Sequence, residues 1–292
     1  GVTITSTYHG MTRSLAFRAN HTKAFSDFLN KNFDQIKQHA EATSKHLKVQ
    51  KNTVDIHGDH VFLTLYCDTD EAMGMNMTTI AAQAVGEWIV ATLAAENTEK
   101  NLSDVQFVTV AGNVDSDKKP SQRTHDEGRG YEVTARATLS ASAITPLKTT
   151  ARAMLAVADA KLTAGSSIAG ALGTNLHAAN TVAALYIATG QDAAHVVEGS
   201  LADTTVVMSD DDKNDLTIQC RLPAILVGVR GGGTSLPAQQ QCLDLLLKQK
   251  TTLQPCRQLA ESIAAAVLAG ELSLLAAQAG HQLSAAHQDL GR

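Results

Sequence analysis

Between Ser14 and Val110 two residue periodicities alternate in an order that few folds can accommodate. Short runs rich in β-branched and aromatic residues, at Ser14–Arg18, Lys48–Ile56, His60–Cys67 and Val105–Val110, read as strands. Between them, Thr22–Glu41 and Met77–Ala94 carry apolar residues at helical spacing. The resulting order is strand, helix, strand, strand, helix, strand, a split β-α-β unit. Its middle strands join through His57-Gly58-Asp59-His60, a hairpin turn. No metal is expected at the two histidines that flank it.

The second half of the chain reads differently. Tyr131–Leu139 is expected to be a strand, Pro146–Leu162 and Thr181–Ile187 helices, and Asp203–Asp215 an acidic, loop-like stretch around Val206–Met208. Leu216–Cys220 and Ala224–Val229 read as two strands. Cys256–His287, rich in alanine and leucine, reads as one long buried helix with breaks at Gly270 and Gly280. Only 4% of residues are aromatic while 44% are hydrophobic. A large core must therefore be built from Ala, Val, Leu and Ile, which demands close helix packing. A net charge of −5 with scattered lysines and arginines gives no footprint for nucleic acid. Cys67, Cys220, Cys242 and Cys256 are too widely spaced for a zinc site or a disulfide framework and suit reduced thiols in a cytoplasmic setting. No run reaches the ~18 apolar residues of a membrane helix, and Gly1–Ser6 lacks the charged start of a secretion signal, so the chain is expected to be soluble.

Several loops carry candidate chemistry. Ala111-Gly112-Asn113-Val114-Asp115-Ser116-Asp117-Lys118-Lys119-Pro120 follows a strand and sets two acids beside two lysines. Alone, such a triplet suits a solvated connection. The alternative is an anion site, since Asp117 can hold the Lys118 ammonium in place for an oxyanion. Glu71-Ala72-Met73-Gly74-Met75-Asn76-Met77 places three thioethers at a helix start, where free backbone N–H groups can face a phosphate. Thr43-Ser44-Lys45-His46 ends a helix with a hydroxyl and a cation. Asp192, in Gly190-Gln191-Asp192-Ala193-Ala194, reads by itself as a helix N-cap.

Together these blocks resemble the signatures of class I 3-hydroxy-3-methylglutaryl-CoA (HMG-CoA) reductases. Further blocks agree in order: Gly10-Met11-Thr12-Arg13, Glu127-Gly128-Arg129-Gly130, Gly165–Gly170 leading to Asn175-Leu176-His177-Ala178-Ala179-Asn180, Gly231–Pro237, and Ala269-Gly270-Glu271-Leu272-Ser273-Leu274. The resemblance implies an α+β fold. A large mixed domain with long helices, residues 1–13 and 109–292, would bind HMG-CoA and carry an inserted ferredoxin-like, non-Rossmann domain, residues 14–108, for NADP(H). It implies reduction of HMG-CoA to mevalonate and CoA by two NADPH, with Lys118, Asp192 and His287 catalytic. Arg13, Asp117, Lys119, Lys161, Asn175 and His177 would bind substrate. Ser44, Lys45, Glu71, Met73, Gly74, Met75, Asn76 and Met77 would bind NADPH, with Ser44 and Lys45 at its 2′-phosphate. A homodimer or higher assembly is implied as well.

The chain also departs from that pattern. The family's catalytic glutamate and dimer motif lie upstream of the GMTR block and have no counterpart here, as expected of a catalytic portion lacking its N-terminal segment. A longer natural chain would leave room for an anchor in the endoplasmic reticulum membrane. Ala111 replaces a serine, Glu71 replaces an aspartate, and the serine that follows the catalytic histidine in animal relatives is missing. A non-catalytic fragment or paralogue that binds CoA or NADPH is the alternative; a dehydrogenase for another acyl-CoA is a third.

Overall fold

The computed structural model describes residues 1–95, 101–209, 215–247 and 251–281. The chain divides into two compact units, His9–Asp117 and Gly1–Tyr8 with Lys118–Arg292. Strand β1 (Val2–Arg18) begins in the second and ends in the first. It is far longer than the run expected from Ser14. Its first half alternates Val, Ile and Tyr with threonine and serine, and β-branched threonine holds an extended backbone without an apolar signal. From Gly10 to Phe17 every residue is buried, so alternation vanishes there.

In the His9–Asp117 unit, β1 is followed by α1 (Thr22–Lys31), α2 (Phe33–Glu41), β2 (Lys48–His57), β3 (His60–Asp68), α3 (Met75–Ala95) and β4 (Gln106–Thr109). The single helix expected over Thr22–Glu41 is broken at Asn32, whose φ of −99° and ψ of 21° are non-helical. Its side-chain amide donates to the Phe28 carbonyl at 2.8 Å, a local bond that competes with helix propagation. The sheet order is β2-β3-β1-β4, antiparallel throughout. His57 pairs with His60, and Gly58 takes φ +60° in the hairpin. Ala81, Ala82, Val85 and Ile89 of α3 are buried in the same core as Leu15, Phe17, Leu63 and Leu65 of the sheet. A Cβ on Gly86 would meet the Phe107 ring at 2.5 Å, so small residues let α3 approach β4 as the composition requires.

The other unit continues with α4 (Gln122–Glu127), β5 (Gly130–Leu139), α5 (Ala141–Ile144), α6 (Ala151–Ala158), α7 (Ser166–Ala169), α8 (Ala178–Ala188), α9 (Val196–Gly199), β6 (Asp203–Met208), β7 (Leu216–Ile225), α10 (Pro237–Leu246) and α11 (Pro255–Ala279). Its strand order is β1-β5-β7-β6. The helix expected over Pro146–Leu162 is interrupted. A 3₁₀ turn at Thr145–Leu147 ends on left-handed Lys148, and Thr150 then caps α6 by accepting from the Ala153 N–H. Asp159–Gly165 widens into a π-helix, a form that recurs at functional positions. Val206–Met208 is not loop but the end of β6, paired with β7. The two strands expected within 216–229 are one, because a bulge opposite Tyr131–Val133 accommodates Pro223.

Helix α11 runs unbroken through Gly270 and is capped by Gly280. Leu259, Ile263, Val267 and Leu275 have no exposed surface, each contributing about 1.5–3 kcal/mol of transfer free energy. By length and composition α3 and α11 could each cross a bilayer. This overturns the expectation that no segment reaches that length; here α11 is the central helix of a packed core. All four cysteines are free thiols, and burial pushes Cys67 and Cys220 up to about 12.

Candidate active site

The DKK loop is held by its own unit before it reaches the lysines. Asp115 is buried: Oδ1 accepts from Ser14 Oγ at 3.1 Å, and Oδ2 from Arg13 Nη1 at 3.2 Å and the Ser14 N–H at 3.3 Å. Arg13 also donates to Thr79 Oγ1 at 3.0 Å and lies 3.6 Å from Asp117 Oδ2. The Gly112 N–H donates to the Ser14 carbonyl at 3.0 Å. So anchored, the backbone takes the left-handed region at Asn113, Ser116 and Lys118, with φ of 63°, 52° and 58°. Outside glycine each such residue costs on the order of 1–3 kcal/mol and persists only where its surroundings determine it. Asp115 was visible in the motif, but only its contact with Arg13 and Ser14 separates it from Asp117.

In the second unit, Lys118 Nζ meets Asp192 Oδ2 at 2.7 Å, with both side chains a little over a third exposed. The loop presenting Asp192 is rigid for identifiable reasons. Gly190 takes φ +72°, and a Cβ there would strike the Gly233 carbonyl. The GQD and GGGT loops are thus pressed together backbone to backbone, which only glycine permits. Gln191 clamps the loop to the segment that follows β7: its Nε2 donates to the Gly228 carbonyl at 3.0 Å and its Oε1 accepts the Gly228 N–H at 2.8 Å. Asp192 Oδ1 accepts the Ala194 N–H at 3.0 Å, so the N-cap bond and the lysine contact coexist on different oxygens. Partial burial pushes the Asp192 carboxyl up. The bonds from Lys118 and Ala194 and the nearby His195 outweigh this and hold it below the usual carboxylate range.

Behind Asp192 lies a group of charges that the motifs did not single out. Glu198 accepts from Arg129 Nη1 and from His195 Nδ1, the latter at 2.7 Å. All three residues are fully buried or nearly so. Arg129 stood inside a recognised block, whereas His195 and Glu198 carried no signal beyond following Asp192 closely.

The remaining candidates are dispersed. Lys161, in the π-helix, donates to Gln278 of α11 at 3.0 Å. The Asn175 amide is bound to backbone, donating to the Ser200 and Ala202 carbonyls and accepting the Ala178 N–H. His177 begins α8, with Nδ1 3.2 Å from Glu271 Oε1; Gly270 leaves room for its ring. Glu271 itself is wholly buried and accepts the Leu176 and His177 N–H groups and the Thr204 hydroxyl, each at 2.8 Å. Lys119 is exposed. His287 lies outside the described residues.

The candidate NADPH residues meet within the His9–Asp117 unit. His46 Nδ1 lies 3.1 Å from Asp70 Oδ2, joining the Ser44–Lys45 turn to the loop that carries Glu71 and Met73. Ser44 Oγ accepts the His46 N–H at 3.2 Å, and Lys45 is exposed. Gly74 takes φ +92° against Thr69, where any side chain would collide. Its carbonyl accepts the Thr78 N–H at 2.9 Å, opening α3 with Met75, Asn76 and Met77 in its first turn.

Comparison with known proteins identifies the family. The family profile of hydroxymethylglutaryl-coenzyme A reductase matches residues 1–292. The 3-hydroxy-3-methylglutaryl-coenzyme A reductase of Halobacterium salinarum is 42% identical over 290 residues, covering 97% of this chain and 68% of its own length. The enzyme from Methanocaldococcus jannaschii is 40% identical over 270 residues, covering 91% and 64%. Reductase 1 of Arabidopsis thaliana is 37% identical, and the chain spans only 50% of it. Among solved structures, the class II reductase of Streptococcus pneumoniae bound to NADPH superposes with a TM-score of 0.71 at 19% identity, covering 95% of this chain and 73% of that one. That likeness shows a shared mixed α/β fold with antiparallel sheet. With the whole chain matched by the family profile and the archaeal relatives above 30% identity, this protein belongs to the hydroxymethylglutaryl-coenzyme A reductase family.

Proposed function

We propose that this chain carries out the chemistry of its family, reducing HMG-CoA to mevalonate and CoA with two NADPH and two protons. The observation that carries the reading is the 2.7 Å contact between Lys118 and Asp192, on loops anchored by Arg13–Asp115 and by Gln191. A lysine held this way presents a fixed positive charge to the oxyanion that develops when a thioester carbonyl is reduced, without solvent reorganisation. Asp192 keeps the ammonium aimed through both reductive steps. Arg13, Asp117, Lys119, Lys161, Asn175 and His177 are assigned to the acyl and CoA groups. His287 is assigned to protonate the departing CoA thiolate, a role suited to a group that titrates near neutrality.

NADPH supplies the hydride of each step. The donors joined by the His46–Asp70 contact suit it: the Ser44 hydroxyl and the Lys45 ammonium can hold a 2′-phosphate, and the start of α3 can face the pyrophosphate. The β-α-β-β-α-β order with sheet order β2-β3-β1-β4 supports a ferredoxin-like cofactor domain at residues 14–108. Residues 1–13 and 109–292 would then form the HMG-CoA domain, and two copies a homodimer. The test is loss of NADPH absorbance with HMG-CoA, for the full-length protein and its Lys118→Ala variant. A drop in kcat of about 10²–10³-fold with NADPH binding retained is expected. A folded protein that binds either ligand but turns over neither would leave a binding module instead.

A further inference from the structure

We propose that His195 is a positioning residue for the Lys118–Asp192 pair, held in place by the buried Glu198–Arg129 ion pair. Only the kinetic arm of this inference rests on the reductase reading. His195 and Glu198 have no exposed surface, and Arg129 is 1% exposed. A buried ion pair is a poor source of stability, because apolar residues of similar volume commonly do as well. Three matched ionisable groups immediately behind an active-site acid therefore suggest another task.

The geometry specifies that task. Glu198 gives one oxygen to Arg129 Nη1 and the other to His195 Nδ1 at 2.7 Å. An ionised carboxylate only accepts, so Nδ1 carries a proton whether or not Nε2 does, and the ring cannot flip without losing its partner. Nε2 is thereby placed 3.9 Å from Asp192 Oδ2, the oxygen that meets Lys118 at 2.7 Å. The turn joining the two residues is itself closed, since the His195 N–H donates to the Asp192 carbonyl at 3.1 Å and the Ala194 N–H to Asp192 Oδ1 at 3.0 Å. Gln191 fixes the loop one residue earlier. A carboxylate with one oxygen bound to its own turn and the other beside a locked ring has little freedom to rotate away from the lysine. The low-lying Asp192 carboxyl fits this picture: burial raises it, while Lys118, Ala194 and His195 together more than compensate.

Two substitutions in the full-length protein separate positioning from folding. In His195→Asn the amide takes the place of Nδ1 and keeps the Glu198 contact, but nothing remains beside Asp192. In His195→Gln the amide reaches the place of Nε2. For His195→Asn, kcat should fall roughly ten- to hundredfold with KM for HMG-CoA and NADPH within about twofold. The Asp192 carboxyl, followed by carbon NMR, should titrate at higher pH than in the unaltered protein, and His195→Gln should recover most of the kcat. Nitrogen NMR of the unaltered protein should show a proton on Nδ1. Unchanged kcat and Asp192 titration in His195→Asn would overturn the proposal. So would both variants losing kcat, KM and melting temperature in parallel, or a ring protonated on Nε2 alone. If the unaltered protein does not reduce HMG-CoA, the reductase reading fails separately, and the Asp192 titration and ring tautomer still decide the role of His195.

Discussion

Glu271 offers the most direct measurement of how the fold holds the start of α8. Its carboxylate has no exposed surface and accepts three hydrogen bonds at 2.8 Å, from the Leu176 N–H and the Thr204 hydroxyl on Oε2 and the His177 N–H on Oε1. Glu271→Gln is nearly isosteric, so it opens no cavity. It does replace one acceptor oxygen with an NH₂ group. The Thr204 hydroxyl can rotate and become an acceptor, but a backbone N–H cannot. Whichever way the amide turns, either Leu176 or His177 is left with its N–H facing another donor. A buried donor without an acceptor costs about 1–3 kcal/mol, and the surviving bonds lose their charge assistance. The sum is about 2–4 kcal/mol. At 1.4 kcal/mol per factor of ten, native-state hydrogen exchange at the affected amide should speed up roughly thirty- to several-hundredfold. Exchange at both amides within about twofold of the unaltered protein would refute the account of Glu271 as their acceptor.

Other expectations follow from the same contacts. Because the Asp192 carboxyl is held below its ordinary value, the Lys118–Asp192 contact contributes fully above the usual carboxylate range and is lost as pH falls through the lowered value. Any acid limb due to Asp192 in the pH profile of kcat should therefore lie below that range; a limb at or above it that disappears in Asp192→Asn would contradict this. Gly190→Ala combines a φ of +72° with a Cβ driven against the Gly233 carbonyl. It should destabilise the protein by about 2–4 kcal/mol in denaturant unfolding and lower kcat in the fraction that folds. Lys45→Ala should raise KM for NADPH about tenfold while leaving turnover with NADH nearly unchanged, as a comparison of the two cofactors would show.

The elements most legible from residues alone were those whose signal is local. The hairpin over 48–68 needed only alternation and Gly58 at the turn, and α3 only apolar spacing behind a glycine. Where a neighbour overrode the local pattern, legibility failed. Asn32 breaks a continuous helical period by bonding Phe28, and β6 hides in an acidic run because its partner is β7. The β1 strand loses its alternation because both of its faces are covered.

The same division holds at the candidate site. Read alone, Asp192 was a helix N-cap and the DKK loop a solvated connection; it was the resemblance of whole blocks to the reductase signatures that set Lys118 and Asp192 together, since motif chemistry is written in residue types at short spacing. Only the tertiary structure decided which oxygen of Asp192 meets the lysine, that Gln191 clamps its loop, that Glu271 is spent on backbone N–H groups, and that His195, Glu198 and Arg129 form one buried network. A charged side chain taken out of water must find partners at specific distances and angles. Those partners come from segments distant in the chain, brought together by packing of the apolar residues around them.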